Sequence, residues 1–178
     1  PARQHYPDSS STDYLVPPEL SAALADAGPA ATSSQAAAVA ATGAATTIDV
    51  ALGYTTTYAT ELGGDSQAVT RLQNLVDIAN QAYTNSQVNA QIRLVRTLAV
   101  NYPDATDNSS TLSALTGNTA SGSDPAFSAL RAARDQYGAD LVSLVRRFRA
   151  PENSGCGIAW LIGGGQSSFT TAAAPYGY

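Results

Sequence analysis

The residues able to do chemistry in this chain are few. Its 178 residues include one histidine, His5, and one cysteine, Cys156. A Ser-His-Asp or Cys-His arrangement needs a base beside its nucleophile. His5 stands beside Tyr6 and Asp8 in the N-terminal stretch and reads as a solvated side chain. Cys156 lies between Gly155 and Gly157 with no base near it in sequence. It reads as a buried thiol or one half of a disulfide rather than a nucleophile. One His and one Cys cannot build a His- or Cys-rich zinc site. The run Gly163-Gly164-Gly165 follows an apolar stretch, but the chain has no Lys for a Walker loop and no helix signal follows. A tight turn is the simpler reading.

The carboxylates Asp49, Asp77, Asp135 and Asp140 come singly, with no motif that pairs an acid with a base. Arg131 and Arg134 fall within a turn of Asp135, the spacing of helix-surface ion pairs worth roughly a few tenths of a kcal/mol. Arg146, Arg147 and Arg149 make a local basic spot that reads as the solvated end of a strand. Asn108-Ser109-Ser110 matches the glycosylation acceptor pattern, which also recurs by chance. On its own residues the chain shows no complete catalytic site.

Composition narrows the partners. All nine basic residues are Arg, against 14 Asp plus Glu, for a net charge of −5. Without a basic stripe, neither nucleic acid nor anionic membrane is expected as a partner. No run reaches the roughly 18 apolar residues of a membrane span. The chain begins at Pro1 and holds no Met, which fits a secreted protein that has lost its signal peptide.

The elements that must position these residues begin near residue 48. Residues 1–47 are rich in Ala, Ser, Thr and Pro and read as an arm or linker, with a helical turn at 18–26 and a marginal helix at 34–41. Residues 48–56 read as a strand. Asp65 is placed as N-cap of an amphipathic helix with Val69, Leu72, Leu75, Val76, Ala79, Ala82 and Tyr83 on its apolar face. Residues 88–102 read as a long strand whose alternation slips after Arg96, the mark of a bulge. A short helix at 110–115 follows. Asp124-Pro125 starts another helix, which Gly138 ends. Residues 139–148 read as a strand buried on both faces, and 155–165 as a last short strand. The order predicts an α/β fold whose first three strands are mainly parallel, with the last one antiparallel at an edge.

Taken together, IDVALGYTTTYA, NQAYTNSQV, IRLVRTLAVNY, RDQYGADLVSLV and GCGIAWL resemble the catalytic domain of secreted bacterial metzincin zinc peptidases. The reprolysin-like group that includes the peptidyl-Asp metallopeptidases is the nearest type. The resemblance runs from residue 48 to the end, and RDQYGADLV and GCGIAWL are its most specific blocks. It implies a metzincin-like N-terminal subdomain: a twisted, mainly parallel sheet with helices and an antiparallel edge strand over the substrate cleft. It places the substrate-binding strand on Gly157, Ile158, Ala159 and Trp160, where a peptide or protein substrate pairs by main-chain hydrogen bonds. It also makes Cys156 one half of a disulfide whose partner lies downstream.

The family's zinc helix, H-E-x-x-H-x-x-G-x-x-H, has no counterpart in these residues, so no metal ligand and no catalytic base carries over. Three expectations follow. The first is the N-terminal portion of a secreted zinc-dependent endopeptidase, truncated before its zinc helix and inactive alone, with a C-terminal fragment of the same protein as a further partner. The second is a non-catalytic peptide- or protein-binding module. The third makes residues 1–47 a pro-segment remnant that blocks the cleft, with His5, Asp8 or Asp13 at a metal position of the complete enzyme.

Overall fold

A computed structural model of the chain describes residues 14–15, 44–117, 124–149 and 155–160. The helices expected at 18–26 and 34–41, His5, Asp8, Asp13 and the triple glycine lie outside the described residues. Strand β1 is the pair Tyr14–Leu15, and β2 runs over Thr46–Thr55. Helices α1 (Thr56–Leu62) and α2 (Asp65–Asn85) lead to β3 (Ala90–Val100). Helix α3 (Asn108–Thr116) follows. A 3-10 turn at Pro125–Phe127 runs into α4 (Ser128–Tyr137), and β4 (Leu141–Val145) and β5 (Ala159–Trp160) come last.

The central element is β2, with β3 on one side and β4 on the other, both parallel to it. Its residues from Val50 to Thr55 are all buried, and they alternate between two cores. Val50, Leu52 and Tyr54 pack with Ala59, Ala68, Leu72 and Val76 of α1 and α2. Ala51 packs on the opposite face with Leu115 of α3, Phe127, and Leu130 of α4. Gly53 points the same way as Ala51. A Cβ there would lie 2.5 Å from Leu130 Cδ2, so the absence of a side chain lets α4 sit down on the sheet.

The bulge is present, slightly earlier than its sequence signal. Val50 pairs with Leu94 but Ala51 pairs with Arg96, leaving Val95 as the extra residue. Because a strand has a period of two, one extra residue exchanges its faces. Ile92 and Leu94 accordingly pack on the α2 side, and Val95 and Leu98 on the α4 side.

Several expectations change. Helix α1 was not foreseen: Thr55 caps it by accepting from the Tyr58 N–H. Gly64, not Asp65, is the N-cap of α2, and Asp65 is its first residue. The buried stripe of α2 is Ala68, Leu72 and Val76 at exact four-residue steps, so Val69 lies outside the core. Strand β4 is shorter than expected and, among the described residues, is an edge strand with only Val142 fully buried. Its apolar run reflects the two cores meeting at the sheet's border.

Among the described residues, the expected antiparallel edge strand is also not seen on this sheet. The three paired strands are all parallel, and β5 pairs instead with β1, again parallel. The physical reason lies in α3, whose side chains hold residues 155–160.

Candidate functional site

The expected substrate-binding residues form a short extended segment. Gly157 and Ala159 are exposed, Ile158 is half-buried and Trp160 is buried, the alternation of a strand with one face on a support. The support is α3. Trp160 packs on Leu112, with Ile158 against the same cluster, and the indole Nε1–H donates to Thr116 Oγ1 at 2.8 Å. At the other end of the segment, Asn108 Nδ2 donates to the Gly155 carbonyl at 2.9 Å. A built Cβ at Gly157 meets nothing within 4 Å, so the backbone there is open to approach. Cys156 is exposed and bears a free thiol, so the buried-thiol alternative is dropped; the disulfide alternative depends on a partner outside this chain.

Asn108 is itself held. Arg146, the residue after β4, donates through its two guanidinium NH2 groups to Asn108 Oδ1 at 2.7 Å and to the carbonyls of Pro103 and Asp104 at 3.4 and 3.3 Å. Burial lowers the Arg146 pKa from its ordinary value, opposed by the negative charge of Asp104. Asp104 is buried and its Oδ1 accepts from Thr55 Oγ1 at 2.8 Å. The carboxyl end of central strand β2 is thus linked through Asp104, Arg146 and Asn108 to the turn before β5. A cavity of about 260 Å³ opens beneath that turn, lined by Asn108, Leu112, Leu115, Val145, Arg146, Cys156 and Ile158 among others.

Four sequence readings are revised by this geometry. Arg146 is not the solvated end of a strand but the centre of a polar network. Asn108 is committed through both ends of its amide, so its acceptor pattern is a structural feature here. Arg131 does not pair with Asp135 in the described contacts; it donates to the carbonyls of Ala114, Leu115 and Asp124, closing the carboxyl end of α3. Asp49 and Asp140, read as single carboxylates, meet at the opposite end of the sheet. Asp49 N–H donates to Asp140 Oδ2, and Arg93 grips the Asp49 carboxylate with both Nε and an NH2 at 2.7 and 2.6 Å. Sequence reasoning missed Thr116 and the structural role of Asn108. Their signal was the spacing 108, 112, 116, one polar-apolar-polar stripe along a helix face.

A family model described as Metallo-peptidase family M12B, Reprolysin-like, matches residues 44–178. The chain belongs to this reprolysin-like family. It is 34% identical over 137 residues to the peptidyl-Asp metalloendopeptidase of Pseudomonas aeruginosa, covering 74% of this chain and 21% of that protein. It also superposes on a chain from the solved structure of a chaperone–substrate complex with a TM-score of 0.54 at 25% identity, over 66% of this chain and 20% of that one. The chain spans about a fifth of the relative's length. The mixed α/β architecture with a parallel three-stranded sheet agrees with a metzincin-like N-terminal subdomain.

Membership of a metallopeptidase family implies zinc. Among the described residues, however, no group of three or more His, Cys, Asp or Glu side chains comes together that could hold a metal ion. The Asp49–Asp140 pair faces Arg93, whose positive charge opposes a cation. The described residues therefore do not fit the metal. None of the described helices is long and apolar enough to cross a membrane.

Proposed function

We propose that this chain is the substrate-strand-bearing portion of a secreted zinc endopeptidase, whose metal ligands and general base lie outside its 178 residues. Gly157, Ile158, Ala159 and Trp160 bind the extended main chain of a peptide or protein substrate. The observation that carries the reading is that β5 already takes an extended backbone segment as a ladder partner. Residues 159–160 do so with the open Gly157 two positions before them and with the Ile158 and Trp160 side chains packed on the Leu112 side of α3. Cys156, exposed at the cavity mouth, suits a disulfide to a cysteine beyond this chain.

The same ladder supports a second element of this reading. Tyr14↔Ala159 and Leu15↔Trp160 pair in parallel, so the N-terminal arm lies on the backbone that a substrate would use. The arm is then an intramolecular occupant of the site, and its release precedes binding. Tyr14→Pro with Leu15→Pro, which removes whichever of the two arm N–H groups points at β5, raises peptide affinity on this reading.

The test is made on the complete protein that carries this chain. Zinc content by elemental analysis and casein hydrolysis with and without a chelator establish the reaction. Ala159→Pro then removes one N–H donor of the binding strand, and a loss of roughly tenfold in kcat/KM at unchanged zinc content is expected. A zinc-free protein that binds peptide without cleaving it would instead establish the non-catalytic module.

A further inference from the structure

Two paired residues flanked by glycines make a poor binding surface by themselves. Gly155 and Gly157 leave the backbone of this segment free to sample many conformations, and ordering it at the moment of binding would consume affinity. A strand that recognises main chain must be straight and fixed before its partner arrives, and the ladder with β1 cannot do this if that ladder is what a substrate displaces. The fixing must come from the other face.

That face rests on three residues of α3 spaced four apart: Asn108, Leu112 and Thr116. Each touches a different point of the segment. Asn108 Nδ2 donates to the Gly155 carbonyl. Leu112 packs against Trp160 in a small apolar cluster that includes Ile158. Thr116 Oγ1 accepts from the Trp160 indole while donating to the Leu112 carbonyl at 2.7 Å. The helix is itself secured at both ends, by the Asp107 carboxylate accepting from the Ser110 N–H and by Arg131 donating to the Ala114 and Leu115 carbonyls. Arg146 orients the Asn108 amide so that its Nδ2 faces Gly155.

We propose that Asn108, Leu112 and Thr116 are positioning residues that hold the peptide-binding strand in its binding conformation, with Arg146 setting the orientation of Asn108. The proposal rests on the reading that 157–160 bind peptide, and it adds the device that makes so short a strand competent. Its consequence is that affinity for extended peptide depends on residues that never touch the peptide.

Trp160 is the single tryptophan of the chain, so its indole proton and its fluorescence report on the strand alone. The experiment compares the full chain with Thr116→Val, which keeps the shape and removes the hydroxyl, and Thr116→Ser, which restores it. Asn108→Asp is a second variant: it keeps the acceptor for Arg146 and removes the donor to Gly155. Binding of a fluorescein-labelled Val- and Thr-rich peptide is read by anisotropy, and indole protection by hydrogen exchange. Thr116→Val and Asn108→Asp should each weaken binding by about three- to tenfold. Thr116→Val should also speed exchange of the indole proton, and Thr116→Ser should recover both. Peptide binding that perturbs Trp160 in the unsubstituted chain and is unchanged in Thr116→Val and Asn108→Asp overturns the proposal alone. An unsubstituted chain whose Trp160 is indifferent to peptide overturns the peptide-binding reading, and the proposal with it.

Discussion

Gly53 shows how much one residue decides in this fold. It sits mid-way along the buried run of β2, where a methyl group would meet Leu130 Cδ2 at 2.5 Å, Leu144 Cδ1 at 3.2 Å and Val100 Cγ2 at 3.3 Å. Leu130 is fully buried and has little room to yield. Gly53→Ala should therefore destabilise the protein by about 1–3 kcal/mol, read as a lower urea midpoint at unchanged slope. An unchanged midpoint would mean that α4 does not pack on β2 as described. Nothing in the sequence singles out this glycine, because what it leaves room for comes from a helix nearly eighty residues away. Asn108 was similarly opaque: its neighbours spell an acceptor pattern, while its partners, Gly155 and Arg146, are distant in sequence. Cys156, by contrast, was open to two readings, and only its exposure separates them.

At the scale of elements, local signals were read well and capping details less well. Apolar periodicity placed α2, the Asp124-Pro125 cap signal placed the 3-10 turn that runs into α4, and Gly138 does end α4 in a left-handed conformation, φ 63°. The slip in the apolar alternation of β3 found the bulge, because a period-two pattern cannot change face without one. Helix α1 escaped because its threonines read as a continuation of the strand, and the capping bond from Thr55 depends on a turn no pattern announces. The outer edge of β3 is covered by a device with no sequence signal at all. Asn80 of α2 accepts from the Ile92 N–H at 2.7 Å and donates to the Ile92 carbonyl at 2.9 Å, as a neighbouring strand would.

The pair Asp49–Arg93 belongs to this scale, since it joins β2 to β3 at directly opposed positions. The Arg93 hydrogen bonds hold the Asp49 carboxyl below its ordinary pKa, and the capping bonds of Ser110 do the same for Asp107. A carboxylate whose pKa is lower folded than unfolded adds stability that is present above the unfolded value of about 4 and is lost as pH falls through the folded one. Stability should thus be steady from about pH 6 to pH 5 and drop below about pH 4. Asp49→Asn should flatten part of that drop. Urea midpoints measured across this range check it, and an equal drop in the variant would remove Asp49 from the account.

For the molecule as a whole, the parallel sheet was legible because alternating strands and helices admit few arrangements. The arrangement of β5 was not, because the register of a two-residue strand is set by what it leans on. Here it leans on α3 and pairs with β1, and the network from Thr55 through Asp104, Arg146 and Asn108 connects that edge to the centre of the sheet. The fold thus presents one short, anchored strand in a chain that belongs to a metallopeptidase family but whose described residues assemble no metal site. Recognition of substrate backbone is the part of the reaction we propose for it. The most direct test is a titration of the 15N-labelled chain with a short Val- and Thr-rich peptide, followed by amide shifts. Shifts should concentrate on Gly157, Ile158, Ala159, Trp160 and the arm residues Tyr14 and Leu15 that the peptide displaces. Shifts that avoid 157–160, or none at saturating peptide, would contradict the peptide-binding reading.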